Sequence, residues 1–369
     1  MSIHVLHIMG PLRPSGMEKM LVTAAGYFLR EGVTSTILGQ GDNHPFASDL
    51  RNAGYDVRTF PFRVGSKAGV RELRSLVREL GVDVIHVHTE GDYLRTAFAC
   101  WRAMGRSRAL IRTIHNVFQA TGRWRITRLI QAQIADRMMH VLVAPSPEVS
   151  ANEKKLFRRV ETIYNWVDDA FFQIRDRRSE LMNGRKVDAV AVIVGNCSEI
   201  KQHELALHAL AGTQHKLIHL GNESNASEEE LRLLQVFDHE DRLTCRGVES
   251  PTDALLLGSY FMMPSRHEGM GVALAEALVV GLPCLVNDVP GLRWARSIEG
   301  VEMVADDQDA WFTAVRAVPR DYQRRTNLNI DFSASRGSHE YAVIYREVAA
   351  QRRSRLGDRS KEKFGAAMD

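Results

Sequence analysis

The sequence predicts an α/β protein built from two doubly wound parallel sheets, each in its own domain. Apolar, strand-like segments alternate with helical segments through both halves of the chain, and such alternation is typical of parallel sheets. The chain has 369 residues, which is enough for two domains of ordinary size. Its composition, with 44% hydrophobic and 25% charged residues, is that of an ordinary globular protein.

The first domain is predicted over residues 1–168, followed by a linker. Its strands are expected at 3–8, 34–38, 55–60, 82–88 and 109–115, and its helices at 17–29, 46–53 and 70–80. Residues 169–186 are rich in charge and lack clear periodicity, so we expect them to connect the two domains without a regular element.

The second domain is predicted over residues 187–331. Its strands are expected at 187–194, 216–220 and 284–287, and its helices at 204–211 and 272–280. The apolar run 255–263 has the character of a strand buried on both faces, although its upstream part also fits a helix. The polar tail, 351–369, is expected to be disordered. Two such domains place a ligand cleft between the carboxyl ends of their sheets.

One acidic residue stands out in the second domain. Glu276 is the single polar side chain of the apolar helical stretch 271–281. A helix that is apolar all round should be buried, and a buried carboxylate without partners costs several kcal/mol. A second acid, Glu268, stands eight residues earlier in the glycine-containing turn 268–271. We therefore expect a ligand, or a structural partner, to meet this pair of acids.

The setting of the two acids is a strand, a glycine turn, a helix and a further strand. Such a unit leaves free backbone N–H groups at the helix start, facing the crevice. This geometry suits a diphosphate, with Glu268 and Glu276 accepting hydrogen bonds from sugar hydroxyls. The alternative is structural: Glu276 pairs with a buried arginine, and Glu268 is a surface acid.

Other polar groups fall at predicted strand ends. The loop 10–16 contains proline and glycine and follows the first strand, so its backbone is well placed to contact a phosphate. His115 ends an apolar strand, where a histidine is more often structural than catalytic. Lys201 follows the first strand of the second domain, where its ammonium either contacts a phosphate oxygen or is simply solvated. Their joint placement around one cleft favours a binding site.

Positive charge is concentrated in the first part of the chain. The first 165 residues hold 23 Lys and Arg against 14 Asp and Glu, whereas the remainder holds 25 against 31. The densest part, 101–137, contains two tryptophans and the arginines Arg102, Arg106, Arg108, Arg112, Arg123, Arg125, Arg128 and Arg137. Such a surface suits an anionic acceptor or anionic lipid headgroups, and a solvated helix face fits equally well. A nucleic-acid partner is not expected, because no recognisable motif accompanies the charge.

Cysteine usage and hydropathy favour a cytoplasmic protein. The four cysteines, Cys100, Cys197, Cys245 and Cys284, are far apart and lack metal-ligand spacing, so they fit free thiols in a reducing compartment. We therefore expect no metal site. No apolar run approaches the ~20 residues that span a bilayer, and the N-terminus lacks a signal pattern. Peripheral contact with the inner membrane face through 101–137 is a further expectation.

These residues together resemble the retaining GT-B glycosyltransferases of family 4, over nearly the whole chain. The strongest element is the acid-x7-acid motif from Glu268 to Glu276. Further matches are 83–88, 113–115, 163–165 with 167–168, and 195–201. The segment 332–350 resembles the helix that returns to the first domain in the GT-B fold. The resemblance implies two Rossmann-like domains, the first for the acceptor and the second for a nucleotide sugar.

The resemblance also implies roles for individual residues. Glu268 would bind donor-sugar hydroxyls, Glu276 the ribose hydroxyls, and Lys201 the diphosphate. His115 would contact the transferred sugar near the reaction centre. The implied catalytic residues are His115, Lys201 and Glu268. The implied donor-binding residues are Gly16, Asn196, Lys201, Glu268, Met270, Gly271, Val272 and Glu276.

Four positions depart from the family pattern. Ser15 precedes Gly16 where a paired glycine is usual, and Asn196 stands where many members place an arginine beside the diphosphate. Trp166 replaces a small residue, and the expected double glycine near the ribose reads Pro290-Gly291. Lys201 and the helix-start N–H groups are then left to stabilise the leaving group.

The predicted function is transfer of a sugar from a nucleoside-diphosphate sugar, with UDP as the expected base, to a hydroxyl acceptor. The acceptor would be a polysaccharide, a glycolipid or a small metabolite. The acceptor hydroxyl would attack from the face that the diphosphate leaves, with a phosphate oxygen taking its proton, and attack on this face retains the anomeric configuration. No metal or other cofactor is expected. The alternatives are a sugar-nucleotide epimerase or hydrolase of the same fold, and a non-catalytic sugar-nucleotide-binding subunit.

Overall fold

The structure of the protein is a computed structural model that describes residues 2–89, 91–105, 107, 109–115, 122, 124–181, 189–248, 250–318 and 328–365. The chain divides into two compact units. The first unit comprises Met1–Asn165 together with Ala334–Asp369, and the second unit comprises Trp166–Ser333. Each unit contains one parallel sheet, as the alternation of strands and helices predicted.

The first unit is built on seven parallel strands. These are β1 (Ile3–Met9), β2 (Val33–Gln40), β3 (Asp56–Phe60), β4 (Val84–Val87), β5 (Leu110–Thr113), β6 (Val141–Ala144) and β7 (Val160–Thr162). The helices between them are α1 (Gly16–Arg30), α2 (Ala47–Asn52), α3 (Lys67–Glu79), α4 (Tyr93–Ala103), α5 (Trp124–Met138) and α6 (Pro147–Glu153). The strand order is β3-β2-β1-β4-β5-β6-β7, so the chain changes direction across the sheet between β1 and β4.

The second unit is built on six parallel strands. These are β8 (Val190–Val194), β9 (Lys216–Leu220), β10 (Leu243–Gly247), β11 (Tyr260–Met263), β12 (Cys284–Asn287) and β13 (Val301–Val304). The helices are α7 (Asp169–Leu181), α8 (His203–Ala211), α9 (Glu228–His239), α10 (Pro251–Leu257), α11 (Val272–Val280) and α12 (Gln308–Ala317), with a 3-10 helix at Pro290–Ala295. The strand order is β10-β9-β8-β11-β12-β13, and its switch point lies between β8 and β11.

Two segments of the second unit differ from the sequence-based expectation. The run 255–263 does not form one strand, because α10 ends at Leu257 and β11 begins only at Tyr260. Gly258 lies between these two elements. A larger residue does not fit there, because a Cβ at this position would lie 2.3 Å from the Val192 side chain. In the segment expected as a linker, the structure has the helix α7, which packs against α10 and α11. The remainder of that segment, 182–186, lies outside the described residues.

A long final helix, α13 (Ala334–Gly365), returns the chain to the first unit. It packs against α1, β1 and β4. The fully buried Tyr345 hydroxyl lies 2.7 Å from His86 Nδ1, and Glu347 accepts two hydrogen bonds from Arg159 at 2.6 and 2.7 Å. The helix continues to Gly365, whereas we expected a disordered tail from residue 351.

Buried hydrogen bonds, in addition to apolar packing, hold α13 on the sheet. His86 Nε2 lies 2.7 Å from Thr113 Oγ1, which in turn lies 2.8 Å from the Tyr341 hydroxyl. Each side chain in this chain of contacts is buried, so loss of one hydroxyl leaves a polar atom without a partner in a dry environment.

We expect Tyr345→Phe to lower the free energy of unfolding by about 1–3 kcal/mol, because it leaves a buried His86 nitrogen without its partner. Urea denaturation of the full-length variant measures the change. Val343→Ala is the matched control on the same helix, since Val343 is 50% exposed and surface changes usually stay within about 0.5 kcal/mol. Equal stability of Tyr345→Phe and wild type would show that this contact does not anchor α13.

Candidate functional site

The candidate site of the second unit lies at the carboxyl ends of β8 and β11. These strands are neighbours, but their connections run to opposite sides of the sheet. Ligands of open α/β sheets bind at such a switch point. The loop after β8 carries Asn196 and Lys201, and the loop after β11 carries Glu268. The structure thus brings together predicted residues that are 67 positions apart in the chain.

Lys201 and Glu268 form an ion pair. Lys201 Nζ lies 2.5 Å from Glu268 Oε1, and the two side chains are 27% and 11% exposed. The loops are also joined through the backbone, because Arg266 N–H donates to the Ile200 carbonyl at 2.8 Å. The Lys201 stem passes over Gly195, where a Cβ would lie 3.6 Å from Lys201 Cε. An ammonium and a carboxylate are therefore held side by side at the mouth of the site.

The β11–α11 turn presents an open helix start. Gly271 occupies the N-cap with φ 74° and has no side chain to cap the helix. The first-turn N–H groups, from Val272 onward, remain oriented along the helix axis, where they favour an anion. Met270 is buried, and its carbonyl accepts a hydrogen bond from Trp294 Nε1 at 2.8 Å. This bond fixes the turn that precedes the helix.

Gly291 determines how closely a second segment approaches Glu268. A Cβ at Gly291 would lie 1.7 Å from the Glu268 carbonyl oxygen, so only glycine fits there. Asn287, at the end of β12, donates through Nδ2 to the carbonyls of Pro264 and Ser265 at 3.2 and 3.3 Å. The dipeptide Pro290-Gly291, a departure from the family pattern, thus keeps the glycine that the backbone contact requires.

The expectation that α11 is buried on all sides is wrong for one face. Val272, Ala273 and Glu276 are partly exposed, whereas the helix residues from Ala277 to Val280 are buried. Glu276 therefore lies on an open stripe that begins at the helix start. Hydrophobic periodicity could not show this stripe, because two of its three residues are apolar.

The side chain of Asn196 makes a hydrogen bond to a neighbouring loop. Its Oδ1 accepts a hydrogen bond from the Asn222 N–H at 3.0 Å, which joins the loops after β8 and β9. The backbones of these loops also approach closely, since a Cβ at Gly221 would lie 1.9 Å from the Gly195 carbonyl oxygen. A longer arginine side chain at Asn196 would lose this bond between the loops.

In the first unit, the predicted loop 10–16 follows β1 and ends at the start of α1. Ser15 is the N-cap and accepts a hydrogen bond from Met17 N–H at 3.3 Å, and the Glu18 carboxylate accepts a hydrogen bond from the Ser15 hydroxyl. Burial raises the pKa of Glu18, opposed by the bond from Ser15. Gly16 is exposed as the first helical residue, where its backbone is accessible.

His115 lies just after β5, beside a group of buried histidines. Its ring stacks on His88 with 5.8 Å between centroids. His88 Nε2 lies 3.1 Å from His7 Nδ1, and the rings of His86 and His88 are 4.0 Å apart. Burial lowers the pKa of His7 to about 3 and keeps the pKa values of His86 and His88 well below the ordinary value. These three histidines are therefore neutral at physiological pH.

The arginine-rich segment 101–137 is only partly a charged surface. Arg112 is buried and lies over the Tyr93 ring at 4.4 Å. Arg128 is 15% exposed and pairs with the buried Glu153 at 2.5 Å. Arg102, Arg125 and Arg137 are exposed, whereas positions 106, 108 and 123 lie outside the described residues. Along the described chain, no helix is both long enough and apolar enough to cross a bilayer.

Sequence inspection missed a cluster of potential metal ligands beside Lys201. Cys197, His203, His219 and Glu230 place their ligand atoms within 4.8 Å of one another, and all four residues are buried. Spacing gave no usable signal, because the residues come from a loop, a strand and two helices. Only the fold brings them together.

Two family patterns match the sequence, one after the other. The pattern described as Glycosyltransferase Family 4 matches residues 14–171, and the pattern described as Glycosyl transferases group 1 matches residues 188–321. The chain is 27% identical over 385 aligned positions, covering 94% of each chain, to the GDP-mannose:cellobiosyl-diphosphopolyprenol alpha-mannosyltransferase of Komagataeibacter xylinus.

Solved structures agree on the fold. A glycosyltransferase from Rickettsia africae superimposes with a TM-score of 0.72 at 13% identity, over 94% of this chain and 98% of the other. A sucrose-phosphate synthase from Thermosynechococcus elongatus does so with a TM-score of 0.65 at 14% identity, over 99% and 100%. The two parallel-sheet units thus form the GT-B fold.

The family patterns together span most of the sequence. The chain accordingly belongs to glycosyltransferase family 4, as the acid-x7-acid motif predicted. It is a glycosyltransferase.

We expect Gly291→Ala to lower the free energy of unfolding by about 1–3 kcal/mol, the usual cost of overpacking. The added Cβ has to displace the Glu268 backbone, which lies 1.7 Å away. Gly26→Ala is the control, since the nearest atom to its Cβ would be at an ordinary 3.8 Å. Urea denaturation compares them, and an unchanged midpoint and slope for Gly291→Ala would contradict the close approach.

Proposed function

We propose that this glycosyltransferase transfers a sugar from a nucleoside-diphosphate sugar to a hydroxyl acceptor, with retention of anomeric configuration. The observation that carries the proposal is the Lys201–Glu268 pair at the switch point of the second unit. A cation, a carboxylate and an open helix start meet there. This combination suits a diphosphate attached to a sugar.

The cation and the helix start would act on the leaving group. As the glycosidic bond breaks, negative charge grows on the diphosphate. Lys201, once it has turned to the bound donor, and the N–H groups at the start of α11 would offer positive charge at the leaving group, and such groups lower the barrier most when they need no reorganisation during the reaction. No step of this scheme requires a metal ion.

Donor binding would exchange the partner of Lys201. In the structure its ammonium faces Glu268; with a diphosphate present it would turn to phosphate oxygens. Glu268 would then be available for sugar hydroxyls. The ion pair holds both side chains near their working positions before the donor arrives, which reduces the entropy lost on binding.

Glu276 suits the ribose of the same donor. It lies one helical turn beyond Val272 on the open stripe of α11, about 6 Å along the axis at 1.5 Å per residue. An acid at this distance from the diphosphate-binding N-terminus can accept hydrogen bonds from the ribose hydroxyls. The contact of His115 with the transferred sugar stays a prediction from the resemblance.

The two acids do not form the pair used by glycoside hydrolases. In those enzymes the carboxyl groups flank the scissile bond, one as acid and one as nucleophile or base. Glu268 instead forms an ion pair with Lys201, and Glu276 lies on the helix α11, whose start would face the diphosphate. We therefore assign the acceptor's proton to a phosphate oxygen of the leaving group, so that the acceptor enters on the face that the diphosphate leaves.

The donor base is open to direct test. UDP is the base expected from the family resemblance, whereas the Komagataeibacter relative is named for GDP-mannose. A panel of UDP- and GDP-sugars, with lipid-linked and soluble acceptors, separates the functions. Sugar transfer supports the proposal. Donor isomerisation or hydrolysis alone would support the epimerase or hydrolase, and tight binding without turnover would support a binding subunit.

We expect Lys201→Ala to reduce kcat by about 10²–10³-fold, because it removes a charge aimed at the leaving group. Glu268→Gln should reduce kcat/KM by about 10–100-fold, the effect of losing a hydrogen bond to a charged group. Glu302→Gln, an exposed change in the same unit, is the control. Steady-state kinetics with the donor identified by the panel measure each variant; near-wild-type rates for Lys201→Ala would refute the site assignment.

We also propose that α5 docks on an anionic membrane surface. Its apolar residues Trp124, Ile126, Leu129, Ile130 and Ile134 are 42–71% exposed. Ile126, Ile130 and Ile134 recur every four residues and so share one face. Exposed Arg125 and Arg137 lie on the same helix. An apolar face with basic neighbours is the pattern of a helix that lies in the membrane interface. The diphosphopolyprenol in the relative's name is consistent with a lipid-linked acceptor.

Replacing Ile126 and Ile130 by Asp should abolish sedimentation with vesicles that contain anionic phospholipid, since it places charge on the inserted face. Leu257→Asp is the control, because Leu257 is 57% exposed on α10. High salt should weaken binding of the wild type only in part, as apolar insertion is not screened. Undiminished sedimentation of the Ile126/Ile130 variant would exclude α5 as the docking surface.

A further inference from the structure

Four buried side chains of the second unit converge on one point. Cys197 lies in the loop after β8, and His203 is the first residue of α8. His219 lies in β9, and Glu230 lies in the first turn of α9. Each is at most 3% exposed. A thiol, two imidazoles and a carboxylate are an unusual combination in a dry protein interior, and all four groups can bind a metal ion.

The distances among the four ligand atoms fit one ion. His203 Nδ1 lies 3.0 Å from both His219 Nε2 and Glu230 Oε1. His219 Nε2 lies 3.5 Å from Glu230 Oε1 and 3.8 Å from Cys197 Sγ. Ligands held at about 2.0–2.3 Å from a tetrahedral zinc ion lie about 3.3–3.6 Å from one another. These four distances lie within a few tenths of an ångström of that geometry, and the remaining distances, from Cys197 to His203 and to Glu230, are at most 4.8 Å.

Hydrogen bonds alone do not provide a good partner for every polar atom of the cluster. When His203 Nδ1 donates its one proton to Glu230, His219 Nε2 is left with the Cys197 thiol, at the long distance of 3.8 Å. Among the described residues, His219 Nδ1 has no hydrogen-bond partner, although the residue is fully buried. Burial also raises the pKa of the Cys197 thiol, so in the absence of an ion it retains its proton.

An ion at the centre of the cluster would account for the surroundings of His219 Nδ1, the ring nitrogen outside the cluster. A metal-bound histidine commonly directs its other N–H toward a carboxylate. His219 Nδ1 faces Glu223 Oε1 at 3.7 Å, and Glu223 is held by two hydrogen bonds from Arg246 at 2.7 and 2.8 Å. This contact orients the imidazole with Nε2 toward the cluster.

We propose that Cys197, His203, His219 and Glu230 bind a divalent transition-metal ion, with zinc favoured by the donor set. Sulfur, nitrogen and oxygen ligands in a tetrahedral arrangement suit Zn²⁺. Four protein ligands complete the coordination, so the site is structural and activates no water. A cavity of about 500 Å³, lined by His203 and Glu230 among others, borders the cluster and gives an ion access.

Such an ion would fix the loop that carries Lys201. Cys197 and His203 flank Lys201 in sequence, while His219 and Glu230 lie on β9 and α9. The metal would therefore tie the loop to two further elements and limit the movement of Lys201 relative to Glu268. Only this effect on catalysis rests on the proposed function; the metal site itself does not.

Cobalt titration of the full-length protein, freed of metal by a chelator, tests the site. We expect one Co²⁺ per chain, with the visible bands of tetrahedral cobalt and a near-ultraviolet thiolate-to-cobalt band, all displaced by added Zn²⁺. Zinc should raise the melting temperature of the wild type, and a chelator should lower it. Failure of the wild type to take up stoichiometric Co²⁺ with these bands would overturn the proposal, whatever the outcome of the transferase assays.

Two cysteine variants locate the ligand. Cys197→Ser should lose the thiolate band and bind Co²⁺ at least about tenfold more weakly, whereas Cys284→Ser, a change at another buried cysteine of the same unit, should keep both. Should Cys197→Ser not fold, His219→Gln is the second variant and should weaken binding at least about tenfold, since even the loss of a residue that only supports a ligand commonly costs about 10–100-fold. Retention of the band in Cys197→Ser, or its loss in Cys284→Ser, would contradict the assignment.

Discussion

The ion pair between Lys201 and Glu268 joins two loops that leave neighbouring strands in opposite directions. Partial burial makes such a pair costly unless its surroundings hold it in place. Here the surroundings do so through backbone contacts: Gly291 lies against the Glu268 carbonyl, and Arg266 N–H binds the Ile200 carbonyl. The arrangement of the candidate donor site depends on this pair, because every other predicted group of the second unit lies on one of the two loops or on the helix that follows.

The sequence predicted the segment around Glu276 correctly where glycine and proline residues determine the ends of its helix and strand. The predicted helix 272–280 and strand 284–287 agree with α11 and β12 to the residue, since Gly271 and Gly281 end the helix at both sides and Pro283 prevents its continuation. The prediction left 255–257 open between helix and strand, because an apolar segment fits both, and packing decides for the helix α10. The prediction failed to show the open stripe around Glu276, because exposure of Val272 and Ala273 leaves no trace in hydropathy.

Buried histidines of the two units have different neighbours. In the first unit, His86 has a hydroxyl within 2.7 Å of each ring nitrogen, from Tyr345 and Thr113, so a neutral ring is fully satisfied and needs no ion. In the second unit, His203 and His219 instead face a thiol and a carboxylate. His86 thus binds two hydroxyls and anchors a helix, whereas His203 and His219 suit metal ligation. No single-sequence pattern distinguishes the two cases, since the partners are distant in the chain.

The return of α13 to the first unit has a consequence for how the chain is made. The second unit is continuous in sequence, whereas the first combines residues that precede the second unit with residues that follow it. During synthesis, His86 and Thr113 leave the ribosome long before Tyr345 and Tyr341 exist to cover them. Domains generally fold as units while the chain emerges. The second unit can therefore fold while the chain is still growing, whereas one face of the first sheet stays uncovered until α13 has been translated.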